Sequence, residues 1–271
     1  MNNVSVALGL HPNIRLLVGN DDLNKWTTKL NQQSDFEDYL FNPTTSRLNL
    51  LNSAALIGYS HVTGHKSAVS DDVVNIFQRL DGWLSLFPSL LSDKSFQGKI
   101  KNLSEYSFIS CLSELSLAAT FKSRGFNIGF EVKFPQLNTG NIKDIDLCIT
   151  DAAGDALYLE VYMPVSQTAE EGFFDIRASD YYFNYKVSSK LNDKFADAQL
   201  SHLTGKVLLA VNIALFDDLY RNFAVPVTNN EEVYQKIKLS LPANIDGLLF
   251  FADTFRVNNH LFFDRVVFKD A

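Results

Sequence analysis

Over the first hundred residues, apolar positions recur at intervals of three and four, the spacing of one face of a helix. The stretch SDDVVNIFQRLDGWLSLFPSLL, residues 70–91, shows this best. Ser70, Asp71 and Asp72 stand at its start as capping residues, and Pro88 interrupts it. Asp21-Asp22 marks the start of another helix, and DFEDYLF, residues 35–41, a further one. Between them lies GYSHVTGHKS, residues 58–67, where two glycines and a serine predict a loop. Its His61 and His65 are four apart, as paired zinc ligands on a helix can be. No cysteine or acid nearby completes such a set, and no metal is expected there.

Beyond residue 100 the period changes. Leu103 to Arg124 reads as one long helix, stopped by Gly125 where a helix C-terminus favours glycine. FNIGFEVKF, IKDIDLCIT and ALYLEVYM then read as three strands close enough for hairpins. A helix from about Tyr185 to Leu203 follows, and GKVLLAVNIAL is apolar enough to be a strand buried on both faces. NNEEVYQKIKLSL reads as a helix, and DGLLFFADTF and HLFFDRVVF as closing strands. This order predicts an α/β fold, a mixed sheet flanked by helices, over residues 101–271. Residues 1–100 form a helical N-terminal region.

Composition narrows the picture without redrawing it. The chain has 271 residues, 46% apolar and 20% charged, enough for a full hydrophobic core. No apolar run reaches the roughly 18 residues a membrane-spanning helix needs, and the N-terminus lacks the pattern of a secretion signal. Cys111 and Cys148 lie far apart in apolar surroundings, the pattern of buried thiols. These features predict a cytoplasmic protein. With 24 Lys plus Arg against 31 Asp plus Glu, the formal charge is −7. Bulk electrostatics do not draw nucleic acid to such a surface, so binding there needs a local basic patch, a bridging metal or a partner.

Acids concentrate on the second and third strands. Alternation puts Asp144, Asp146 and Cys148 on one face of the first, and Tyr158, Glu160 and Tyr162 on one face of the next. A tight Ala-Ala-Gly-Asp turn joins them, so Asp146 and Glu160 can lie side by side. Neighbouring carboxylates repel unless a cation or proton lies between them, and such oxygen ligands suit magnesium or manganese. On the long helix, Glu105, Ser113, Ser116, Thr120, Ser123 and Arg124 gather on one side. Glu114 points away, flanked by Leu117, Ala118 and Phe121. An acid among apolar neighbours is costly unless something pairs with it.

Glu114 on a helix, Asp146 on a strand and Glu160 on the next resemble the PD-(D/E)XK, or restriction-endonuclease-like, superfamily across roughly Leu103 to Leu215. The resemblance implies a mixed sheet flanked by helices. It makes Asp146 and Glu160 ligands of Mg²⁺ (or Mn²⁺), Glu114 a ligand or water holder, and a lysine the group that activates water. This sequence departs at two places: Lys143 stands where the motif often has proline, and Tyr162 where it has the lysine. A literal Glu-x-Lys, Glu131-Val132-Lys133, precedes Asp146 and reads as polar residues of an edge strand. The following helix carries Lys186, Lys190 and Lys194 on one face at a spacing of four. Some superfamily members take their lysine from this helix, which makes Lys190 and Lys194 candidates. Arg177, Lys186 and Tyr162 are candidate contacts to nucleic acid, together with an aromatic run between residues 173 and 185.

Two functions follow as expectations. One is a metal-dependent nuclease, with DNA ahead of RNA by superfamily habit, acting in restriction or phage defence. The other is a nuclease-shaped subunit without catalysis, which binds nucleic acid or uses its helical region to dock a partner protein or a second copy of itself. Glycine-loop, GxSxG and zinc signatures are absent, and His202 and His260 stand isolated.

Overall fold

A computed structural model describes residues 3–33, 35–41, 48–163, 187–214, 241–257 and 260–269. The chain forms two compact units. One contains residues 1–115 and 255–259, the other 116–254 and 260–271.

The first unit is helical. Its helices are α1 (Asn3–Leu10), α2 (Pro12–Asn31), α3 (Phe36–Phe41), α4 (Leu50–Thr63), α5 (Ala68–Leu86) and α6 (Lys94–Ile100), with a 3₁₀ turn at Pro88–Leu91. α2 breaks at Gly19, whose φ of 72° leaves the helical region, so Asp21-Asp22 opens its second half. α4 runs through GYSHVT and ends at Gly64, with a φ of 74°. The loop expected there begins only at that glycine. The cause is tertiary: a Cβ at Gly58 would collide with the backbone of Asn3, so glycine is what lets α1 and α4 meet closely. α5 is capped by Ser67, not by Ser70-Asp71-Asp72. Ser70 Oγ accepts the Ser67 N–H while Ser67 Oγ accepts the Ser70 N–H, a reciprocal box that starts the helix three residues early. Phe77, Leu80 and Leu84 on α5 are fully buried.

α7 (Glu105–Ser123) carries the division between the units, which falls after Leu115. The second unit is a six-stranded sheet in the order β1 (Asn127–Pro135), β2 (Ile142–Thr150), β3 (Ala156–Tyr162), β4 (Lys206–Asn212), β5 (Gly247–Ala252) and β6 (Phe262–Phe268). The β1–β2, β2–β3 and β5–β6 pairs are antiparallel, and β3–β4 and β4–β5 are parallel. The sheet is therefore mixed and flanked by helices. The central strands are buried along most of their length, as continuous apolar runs require. Helix α8 covers the described residues 187–195 and ends before the expected Leu203, because the chain turns at 196–197 and bridges to β1 through Ala198 and Gln136. The helix expected at 229–241 lies outside the described residues except for Leu241, which is not helical, and the aromatic run at 173–185 lies wholly outside them.

Candidate active site

The β2–β3 hairpin sets the geometry. Asp151 Oδ1 accepts the Ala153 and Asp155 N–H groups, both at 2.9 Å, which fixes the turn. The register Leu147↔Leu159 and Cys148↔Tyr158 follows. Asp146 and Glu160 thereby stand opposite one another on the same face. Asp146 Oδ2 accepts the Val161 N–H at 2.8 Å, a bond that orients the carboxylate along β3.

Glu160 has 1% of its side chain exposed, and α8 supplies its cations. Lys190 Nζ lies 2.7 Å from Glu160 Oε1, and Lys194 Nζ donates to Oε2. A spacing of four puts both lysines on one face of α8, one turn apart. The end of α8 is pinned so that this face meets the acid. Phe195 stacks on Phe134 at 6.0 Å, and Asn244 Nδ2 donates to the Phe195 and Ala198 carbonyls. Leu137 N donates to the Asp197 carbonyl at 2.8 Å. Lys190 also lies 5.7 Å from the centre of the Tyr162 ring, so the residue in the motif's lysine position holds a lysine through its π face.

Asp144, expected on the acidic face, and Lys133, expected as a polar residue of an edge strand, join the site. Asp144 lies 3.7 Å from Lys194 and 3.3 Å from Lys133, whose other carboxylate neighbour is Glu131 at 3.7 Å. Glu131, Asp144, Asp146 and Glu160 thus share a neighbourhood with Lys133, Lys190 and Lys194, four negative charges with three positive. Glu131 has a φ of 53° inside β1, where a side chain is rarely tolerated. Further along the same face, burial pushes the Tyr158 phenol above its ordinary range, helped by the adjoining Cys148. Cys148 itself is half-buried, unlike Cys111, and both are free thiols.

A second buried polar group ties together the ends of β4 and β5. Asn212 Oδ1 accepts the Ala214 N–H at 3.1 Å and the Asp253 N–H at 3.2 Å, and its Nδ2 donates to the Asp253 carbonyl. Ser116 Oγ on α7 donates to Asp253 Oδ2. Of the row of hydroxyls on α7, Ser113 and Ser116 are almost fully enclosed, Thr120 is half-buried and Ser123 is exposed.

Glu114 belongs to the helical unit. It is half-buried, with the Ser110 hydroxyl 3.4 Å from Oε1. Arg177 and Lys186 lie outside the described residues. Among the described residues no three His, Cys, Asp or Glu side chains are gathered as metal ligands. The carboxylate pair Asp146 and Glu160 matches the smaller demand of Mg²⁺, which takes one or two carboxylates and completes its shell with water and substrate phosphate. Both Glu160 oxygens face ammonium groups, so a cation there would compete with Lys190 and Lys194.

No family model matches the chain, and no curated protein matches it. Among solved structures it is similar to SfsA of Pyrococcus furiosus, determined in complex with Ca²⁺, at 10% identity and a TM-score of 0.22. The match covers 59% of this chain and 61% of that one, so the chain spans about three-fifths of that structure. A likeness at that level carries no argument about this site. Among the described residues, no helix is long and apolar enough to cross a membrane.

Proposed function

We propose that this chain is a phosphodiesterase acting on nucleic acid, DNA ahead of RNA, with its site on the β2–β3 hairpin and α8. The observation that supports it is the meeting of Lys190 and Lys194 with Glu160 beside Asp146. Asp146 and Glu160 would hold Mg²⁺ or Mn²⁺, which when bound supplies an acidified water and polarises the scissile phosphate. Lys194, largely buried, keeps its ammonium fixed between Glu160 and Asp144. Lys190 is 30% exposed and sits where an incoming phosphate oxygen can take one of its protons as a hydrogen bond. An ammonium aimed at a developing negative charge from a fixed helix needs no reorganisation during the reaction. Glu160 holds both ammonium groups in place until substrate arrives.

The reading is tested with purified protein, plasmid and linear DNA, and Mg²⁺ or Mn²⁺. Asp146→Ala and Glu160→Gln should each remove metal-dependent cleavage while circular dichroism stays that of the parent. Cleavage undiminished in either variant refutes the assignment.

The closure of both Glu160 oxygens by lysine favours a second reading, a structural ion pair in a subunit without catalysis. Metal binding separates the two. A working site raises the melting temperature with Mn²⁺ concentration by mass action, and Asp146→Ala abolishes that rise. A purely structural pair gives none.

A further inference from the structure

The helical unit contains a cavity of about 540 Å³ where the α1–α2 junction, α4 and α5 meet. That size is within the range of small-molecule sites. Its apolar wall comes from Leu10, Ile57 and Val74. The polar groups on it are not accounted for by the fold. His11 is 7% exposed and rests edge-on against Phe77 at 5.4 Å, yet its ring nitrogens have no hydrogen-bond partner among the described residues. Ser60 Oγ is buried and also lacks a partner. A buried polar group without a bond costs about 1–3 kcal/mol, so natural folds leave few of them. Ser60 Oγ is such a group, and with the His11 ring on the same wall it marks a place where a ligand completes the bonding. His61 and Gln78 add exposed polar edges to the same wall.

The chemistry of these groups selects the ligand. Neutral imidazole, hydroxyl and primary amide each donate and accept, so they match a solute edged with both donors and acceptors. Burial lowers the His11 pKa, against the opposing pull of Asp81, which keeps the ring in that two-way neutral form at pH 7. Asp81 brings a carboxylate to the wall and disfavours anions. That carboxylate is already committed, accepting the Asn13 and Ile14 N–H groups at 2.8 and 3.0 Å to cap α2. Among the described residues, the histidines and Asp81 are not grouped as metal ligands. Phosphates and metal ions are therefore poor fits. A flat, uncharged ring system with alternating donors and acceptors fits both the apolar wall and the polar edge.

We propose that this cavity binds an uncharged nucleoside through its base. The assignment stands on the helical unit alone and is independent of the sheet site. The test titrates the full chain with adenosine, guanosine, cytidine and thymidine by calorimetry. Their 5′-monophosphates and a short single-stranded DNA serve as counter-probes. At least one nucleoside should bind with a Kd below about 1 mM, more tightly than its monophosphate. His61→Ala, on the exposed rim, and His11→Phe should each weaken it tenfold or more while the melting temperature changes little. If His11→Phe misfolds, His61→Ala and Gln78→Ala carry the test. Failure of all four nucleosides to bind overturns the proposal, as does binding that these variants leave unchanged. Binding by the DNA strand with none by free nucleosides also overturns it, and would reassign the cavity to an unpaired base in a strand.

Discussion

Two polar clusters of the molecule, one in each unit, are completed in opposite ways. On the sheet, the groups around the candidate site and at the ends of β4 and β5 are paired. Glu160 meets two ammonium groups, Asp146 takes a backbone N–H, and Asn212 joins Met163, Ala214 and Asp253 in one network. In the helical unit, His11 and Ser60 face a cavity with their bonding capacity unspent. A closed network fixes geometry, which suits side chains that must hold a set position for chemistry. An open one leaves bonding to something that arrives. The same penalty for a lost hydrogen bond makes the first region rigid and the second receptive.

The sharpest way to break this contrast is to strip Glu160 of its cations. Lys190→Met with Lys194→Met leaves a carboxylate that is 1% exposed, opposite Asp146 and stripped of both cations. The double variant should lose about 3–5 kcal/mol in urea unfolding, the range for breaking a buried pair from one side. Adding Glu160→Gln to it should recover most of that loss, because the uncompensated charge is gone. A double variant within 1 kcal/mol of the parent would mean that solvent reaches Glu160 and that the network is not closed. A triple variant no better than the double would place the cost in lost packing of the lysine stems.

Next in size is Asn212→Ala. It leaves the Asp253 and Ala214 N–H groups without their acceptor in a fully enclosed place. A loss of about 1–3 kcal/mol is expected, read by the same unfolding measurement. A loss of only a few tenths would mean that water replaces the side chain there.

How far each region could be read from sequence follows from the same distinction. The strands, their hairpin turn and the shared face of Asp146 and Glu160 come from local rules, namely alternation and an Asp-Ala-Ala-Gly-Asp turn. The four-residue spacing of Lys190 and Lys194 was equally plain. Their contact with Glu160 was not, because it depends on how Phe195 and Asn244 seat α8. GYSHVT reads as a loop when its glycine is judged locally. Gly58 is there for the approach of α1, a contact 55 positions away in sequence that no local pattern shows. Asp253 and Asn212 end apolar strands and look like ordinary boundary residues until the parallel pairing of β4 and β5 brings them together. The cavity was invisible for a similar reason. His11 before Pro12 carries no motif, and its meaning arises only from the helices around it.

The smallest effect concerns that histidine and sharpens the contrast from the helical side. Burial holds its folded pKa below the ordinary value of 6.5, with Asp81 on α5 pulling the other way and His61 of α4 also on the cavity wall. The unfolded chain therefore takes up the proton first as pH falls. Between 6.5 and the lower folded value the unfolded state binds more protons, and stability drops with falling pH in that window. One group sets a limiting slope of about 1.4 kcal/mol per pH unit. His11→Phe should flatten this window without moving stability at pH 8, since it breaks no hydrogen bond, and a saturating neutral ligand should steepen it by favouring the uncharged ring. The readout is urea unfolding at pH steps from 8 to 5, with parent and variant side by side. An unchanged slope in His11→Phe would assign the acid sensitivity to other groups. It would also show that the buried ring takes up its proton as readily as one in water, the reverse of what an enclosed, unpartnered imidazole should do.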